Sequence, residues 1–380
     1  MTDEPPIPVF QPHVGVDTIK AVVDALHVGW LGMGAITQAF EEGLAGFLEL
    51  RDRYVLATNT GTSALHLGLL AAGVGPGDEV ITPAFNFVAD HQAIVATGAT
   101  PVLCDVDEAT LGLDPEKAEA LVGPRSKALV PLHFGGLPGR VKELYALAER
   151  RRLRVVEDAT HAFGSRAEGR PIGSAGDITC FSFDPVKVIT SIDGGAVVVG
   201  DRAMLERLRQ WRFLGIDRET HERYKNSRAW EYDVVSQGFR YHMTNINAAI
   251  GLSQLARVNE FIAARRASCR LYNARLAGLA DVRCPATDFT DVAPFIYTVR
   301  VTARRRDGLI EHLKRRGIAT GIHFLPAQDF TFLKDCRRGD LAVTERVTRE
   351  ILTLPLHTLM APALVERVAA AIREHFESPR

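Results

Sequence analysis

From residue 36 onward Ile36, Phe40, Leu44 and Phe47 recur at helical spacing, and beyond them β-rich runs begin to alternate with amphipathic stretches. The runs fall at 54–58 (YVLAT), 79–82 (EVIT), 101–106 (PVLCDV), 127–132 (KALVPL), 153–157 (LRVVE), 178–183 (ITCFSF) and 195–199 (GAVVV). Helical spacing separates most of the early ones, over 62–72 and over 138–150, where Val141, Leu144, Tyr145 and Ala148 share a face. This alternation predicts an α/β fold, a mainly parallel seven-stranded sheet covered by helices on both faces. Such a sheet takes its ligands beyond the carboxyl ends of the strands.

Past about residue 200 the texture changes. A long helical pattern through 244–276 is followed by a strand (FIYTVRV, 295–301), a helix (306–316), a second strand (319–324) and two terminal helices, which reads as a smaller α+β unit. We therefore expect a large α/β domain over 13–255 and a small C-terminal α+β domain over 256–380, with residues 1–12 as a candidate addition to the latter. The stretch 215–237 (GIDRETHERYKNSRAWEYDVVSQ) is polar, dotted with aromatics and without period. It reads as a long loop, and loops of that length in compact domains serve function or move.

Composition changes this picture mainly by exclusion. The 380 residues carry 45 Lys plus Arg against 46 Asp plus Glu, so no overall field favours nucleic acid or an acidic lipid surface. Cys104, Cys180, Cys269, Cys284 and Cys336 show no metal-ligand spacing, and no metal is expected; structural thiols of a reduced, cytoplasmic protein fit them better. MTDEPPIPVF lacks the features of a signal peptide, and no uncharged apolar run is long enough for a membrane helix.

The chemistry gathers where strands end. After YVLAT, the turn Asn59–Ser63 opens into an apolar helix, so backbone N–H groups and the Thr62 and Ser63 hydroxyls form a candidate anion cradle. After LRVVE stands Asp158, an acid that needs a partner if buried. After ITCFSF comes Lys187, whose amine would become nucleophilic in a desolvated pocket. Alone, these read equally as an ordinary helix cap, a structural acid and a solvent-facing lysine. Together they match pyridoxal 5′-phosphate (PLP): phosphate on the helix start, carboxylate on the pyridine nitrogen, lysine on the aldehyde carbon.

The segments NTGTSALHLGL, GVGPGDEVITPAFNFVADHQAIVATGATPVLCDVD, VVEDATHAFGS, FSFDPVKVITSIDGG and QGFRYHMTNINAAIGLSQL, in this order, resemble those of the DegT/DnrJ/StrS family of PLP-dependent sugar aminotransferases, in the fold-type I superfamily of aspartate aminotransferase. The resemblance runs from GWLGMG at 29–34 to ILTLPL at 351–356. It implies that Lys187 and Asp158 are catalytic, that Gly61, Thr62 and Ser182 hold the phosphate, that Phe87 stacks on the ring face and that His161 lies near the ring's phenolic oxygen. It also implies that the QGFRYHMTNI segment crosses to a neighbouring subunit of a homodimer. Two departures stand out. Arg240 occupies the position where the family commonly has an Asn directed at the neighbour's phosphate, with His242 at the following Arg position, and Val188 follows the lysine where Asn is frequent. His91 and Gln92 are weaker substrate-contact candidates.

The expected activity is transfer of an amino group from L-glutamate, which leaves as 2-oxoglutarate, to a nucleotide-linked keto-deoxyhexose in amino-sugar biosynthesis, for lipopolysaccharide or antibiotic sugars. Amination of a cyclitol ketone or an unactivated keto-sugar acid, and a non-catalytic PLP-binding regulatory protein, are the alternatives.

Overall fold

The computed structural model describes residues 5–217 and 232–377. Helices α1 (Val16–Val28) and α2 (Ala35–Phe47) precede β1 (Tyr54–Thr58), α3 (Gly61–Ala71), β2 (Glu79–Pro83), α4 (Val88–Ala96), β3 (Thr100–Cys104), α5 (Pro115–Leu121), β4 (Ser126–Leu129), α6 (Val141–Arg151) and β5 (Arg154–Asp158). A short ribbon, β6 (Arg166–Ala167) with β7 (Arg170–Pro171), leads into β8 (Ile178–Ser182), β9 (Gly195–Val199) and α7 (Arg202–Arg212).

The large sheet has the order β1-β9-β8-β5-β4-β2-β3. Every neighbouring pair is parallel except β1 with β9 and β9 with β8, so β9 alone runs against the rest. That mostly parallel, helix-covered sheet is the expected fold class. All seven strands begin and end close to the runs read from the sequence, because strands packed on both faces must be nearly continuous in apolar residues. The reversal of β9 brings its first residue, not its last, to the sheet edge where β1, β5 and β8 end.

Helix α3 follows β1 directly and is buried on almost every side, from Ser63 to Leu69 without a break. Its Leu65, Leu67 and Leu69 pack with Val156, Ile178, Cys180 and Val197 in one core layer. On another layer Phe40 and Leu44 of α2 join Phe163, Phe181, Phe183 and Ile189. The segment that carries Ser182 and Lys187 is thus anchored by apolar side chains at both of its ends.

The C-terminal part contributes α8 (Asn245–Leu255), α9 (Val258–Leu276), β10 (Val282–Arg283), β11 (Tyr297–Val301), α10 (Ala303–Arg315), α11 (Ala342–Glu350), β12 (Ile351–Leu354) and α12 (Pro362–Glu377), with the small sheet ordered β10-β11-β12. Three sequence readings are corrected here. The helical pattern through 244–276 is two helices, interrupted at Ala256 and Arg257. Residues 319–324 form no strand: Gly321 makes one isolated bridge, to Thr353 of β12, and the preceding Ile318 bridges Ile7. Their apolar residues Ile322 and Phe324 pack instead against Phe85, Phe134 and Phe295. The sheet's third strand is β12, within ILTLPL, where only terminal helices were expected; helix α1 was not anticipated either. Of the expected loop 215–237, residues 218–231 lie outside the described residues, and the flanks are bridged at Ile216 and Val234.

Among the described residues no helix is long and apolar enough to cross a membrane. All five cysteines are free, with Cys104, Cys180 and Cys269 buried.

Candidate active site

A cavity of about 330 Å³ opens at the edge where β1, β5 and β8 end, lined among others by Gly61, Thr62, Phe87, Asp158, His161, Ser182 and Lys187. These are seven of the eight residues singled out from the sequence, brought together from four separate segments.

The α3 end of the cavity is a prepared anion seat. Thr60 caps the helix, its Oγ1 accepting from the Ser63 N–H at 2.9 Å, and Ser63 Oγ donates to Asn59 Oδ1 at 2.7 Å. The next N–H, of Ala64, bonds the Thr60 carbonyl. The N–H groups of Gly61 and Thr62 make no hydrogen bond among the described residues, so two helix-start donors remain for an anion at the positive end of the helix. Close packing builds this seat. A Cβ on Gly61 would stand 2.7 Å from Ser182 Cβ, and one on Gly195 would stand 2.3 Å from the Thr60 carbonyl oxygen. The Asp193-Gly194-Gly195 turn therefore keeps bulk away from the cap.

Asp158 is 3% exposed at the last position of β5, with Oδ1 accepting from the Thr160 N–H at 2.9 Å. Lys187 is partly buried, and its Nζ lies 4.1 Å from the centroid of the Phe295 ring. Desolvation lowers its pKa to about 8, against the opposing pull of Asp158 and Asp184. Its main chain is held from below: Arg265, itself buried, donates from Nη2 to the Lys187 carbonyl at 3.3 Å and from Nη1 to the Phe295 carbonyl at 3.1 Å.

His161 is buried, and burial, then the Lys187 and His323 charges, hold its pKa well below the ordinary histidine value. The Gly135 N–H donates to its Nδ1 at 3.4 Å, which leaves Nε2 to carry the proton of the neutral ring. Phe87 is 56% exposed at the N-cap of α4, an open aromatic face at the cavity rim. Arg240 is the eighth candidate and does not line the cavity of its own chain: its side chain is exposed, while its carbonyl accepts from Asn59 Nδ2 at 3.5 Å. His91 points into the core with Nε2 at 3.2 Å from the Pro83 carbonyl, and neither it nor Gln92 reaches the cavity. Val188 is buried in the core, and the half-buried His242 packs edge-on to Phe213.

Sequence reasoning missed Asp90, Phe295, His323 and Phe324, which also line the cavity. Asp90 carried a readable signal, an acid in the first turn of α4 just beyond Phe87; the other three come from segments whose position no local pattern gives.

The donor set suits PLP on this structure's own terms. Two unpaired helix-start N–H groups match a phosphate, a buried acid matches a protonated ring nitrogen, and a desolvated amine matches an aldehyde carbon. The model of the DegT/DnrJ/EryC1/StrS aminotransferase family matches residues 12–373. The chain belongs to this family of PLP-dependent sugar aminotransferases. It is similar to the aminotransferase TlmJ from Streptoalloteichus hindustanus, at 35% identity and a TM-score of 0.90, over 98% of this chain and 99% of that one. DesV from S. venezuelae, solved in complex with a ketimine intermediate, is 33% identical with a TM-score of 0.90, over 99% of this chain and 100% of its own. A protein of Streptococcus pneumoniae provisionally described as a sugar aminotransferase, solved in a PLP form, is 27% identical with a TM-score of 0.89, over 98% and 99%. PLP is accordingly the cofactor of this enzyme family member.

Proposed function

We propose that this enzyme moves an amino group from L-glutamate to a nucleotide-linked keto-sugar. The observation that carries the reading is the convergence of a desolvated Lys187 amine, a buried Asp158 and two open N–H donors of α3 on one cavity. Sugar aminotransferases among its structural relatives support the acceptor class, including CalS13 from Micromonospora echinospora.

PLP supplies an electron-withdrawing ring that stabilises negative charge at the substrate carbon next to nitrogen. The chain does the rest. Gly61 and Thr62 hold the phosphate through their main-chain N–H groups, with the Ser182 side chain beside them. Asp158 keeps the ring nitrogen protonated, and Phe87 covers one ring face. Lys187 would hold the aldehyde carbon and, as a free amine, would move a proton at the substrate carbon. An amine whose pKa is about 8 suits both steps, since near neutral pH it exists in exchangeable neutral and charged forms. With Nδ1 accepting from Gly135, the His161 Nε2–H would be free to donate to the ring oxygen.

Borohydride reduction of the purified enzyme followed by peptide mapping tests the assignment: the pyridoxyl label is expected on Lys187, and a label on another lysine refutes it. Loading the enzyme with amino groups from glutamate and then offering a panel of keto-sugars, with and without a nucleotide, tests the acceptor. Return of the original absorbance only with cyclitol ketones would move the reading to that class.

We further propose a homodimer in which Arg240 serves the neighbour's phosphate. Its exposed side chain has no carboxylate partner among the described residues, while its main chain sits against Asn59 beside the seat. Mixing inactive Lys187→Ala with inactive Arg240→Ala subunits should restore one working site per mixed dimer. No recovery after confirmed subunit exchange rejects the shared site.

A further inference from the structure

Asp90 has no part in the roles above, yet it stands in the first turn of α4, 2% exposed, and lines the same cavity as Asp158. The two carboxyl groups are within hydrogen-bonding contact of each other. Neither has a lysine, arginine or histidine nitrogen within 4.0 Å among the described residues. Two ionised carboxylates cannot share a desolvated space without a cation between them, because their repulsion is barely screened there. One proton must be shared.

The neighbours fix which oxygens can share it. Asn86 Oδ1 accepts from the Phe87 N–H at 2.6 Å, which fixes the amide's orientation and turns its Nδ2 toward Asp90 Oδ2, also at 2.6 Å. That oxygen is therefore an acceptor, and the other oxygen of Asp90 is the one left to carry a hydrogen. Asp158 Oδ1 accepts from the Thr160 N–H in the same way, so each acid has one oxygen occupied by an N–H and one left to share the proton. Burial and the adjoining Asp158 both push the Asp90 carboxyl well above its ordinary range, in agreement with the geometry.

We propose that Asp90 is the protonated half of a carboxylic acid–carboxylate pair with Asp158, a positioning residue that donates a hydrogen bond to Asp158 and holds it in line for a protonated ring nitrogen. The inference rests on the reading of Asp158 given above. It balances the charges: the pair carries one negative charge against one pyridinium, where two carboxylates would leave an excess negative charge in a desolvated pocket. Asn86 couples the pair to the aromatic rim, since the same amide bonds the Phe87 main chain and Asp90.

The test compares Asp90→Asn with Asp90→Ala. An asparagine keeps a donor toward Asp158 and an acceptor toward Asn86, and an alanine keeps neither. Infrared difference spectra of the cofactor-free proteins, in H2O and D2O near neutral pH, should show a protonated-carboxyl band in the wild type that both variants lack. Fluorescence titration with PLP should give Asp90→Asn an affinity within about threefold of wild type and Asp90→Ala one about tenfold weaker, the loss of one charge-assisted hydrogen bond. A band that survives in Asp90→Asn overturns the proton assignment. Equal affinities for the two variants overturn the positioning role. The reading of the site as a whole fails differently, through a borohydride label that misses Lys187, and that result leaves the infrared bands of the cofactor-free protein unaffected.

Discussion

The cavity has two kinds of wall. Gly61, Asp158, Ser182 and Lys187 end or follow strands of the large sheet and are fixed by ladders, a helix cap and main-chain bonds, whereas Phe295, His323 and Phe324 belong to no strand and pack ring on ring around His161, with hydrogen bonds from Phe295 to Gly135 and between His323 and Thr353. Phe324 lies 5.7 Å from His161, 5.9 Å from Phe87 and 6.3 Å from Phe134, centroid to centroid. A ladder tolerates no gradual displacement, because a slip of one residue turns every side chain to the other face. Ring contacts can shift by fractions of an ångström at small cost. Chemistry that demands fixed geometry therefore sits on the first wall, and fit to the incoming molecule falls to the second.

The comparison breaks most visibly at Asp158. Asp158→Asn should still bind PLP but lose turnover by about a hundredfold or more, since a neutral amide cannot hold the ring nitrogen protonated; steady-state kinetics beside a PLP titration measure both, and near-normal turnover would remove Asp158 from its role. The next effect concerns Lys187. Its pKa is lowered in the folded protein to about 8, so the neutral, reactive amine dominates above that pH and is lost below it. The rate at which cofactor-free enzyme captures PLP should then level off above about pH 8 and fall about tenfold per unit beneath it. A profile still rising toward pH 10 would mean that the amine is solvated like an ordinary lysine. The smallest effect belongs to the aromatic wall. Phe324→Ala should raise KM for the keto substrate by about threefold to tenfold while PLP affinity stays near wild type; a loss of PLP affinity instead would show that both walls hold the cofactor.

The same division explains what could be read from the sequence. The polar wall was legible because each of its residues ends or closely follows an unmistakable apolar run, and parallel sheets put all such positions along one edge. The strands of the small sheet were less so. Residues 319–324 look like a strand locally, but only Gly321 bridges β12, at Thr353, while Ile322 and Phe324 turn into the aromatic cluster. Phe295, His323 and Phe324 gave no signal because the sequence places them in strands, where an aromatic looks alike whether it faces a cavity or a core. Asp90 was overlooked for another reason: its meaning depends on a second carboxyl brought beside it only by the pairing of strands and the packing of α4.

The reversed strand β9 acts as a ruler. Its Gly195 is in register with Thr58 of β1 on one side and with Ser182 of β8 on the other. The anion seat and the lysine segment are both measured from this one residue, and two inter-strand spacings, about 10 Å in all, separate the strands that bear them. Such a distance comes in whole steps. Neither end can be nudged to suit a larger or smaller molecule without unpairing a ladder, so any adjustment to a different acceptor has to be made in the aromatic wall.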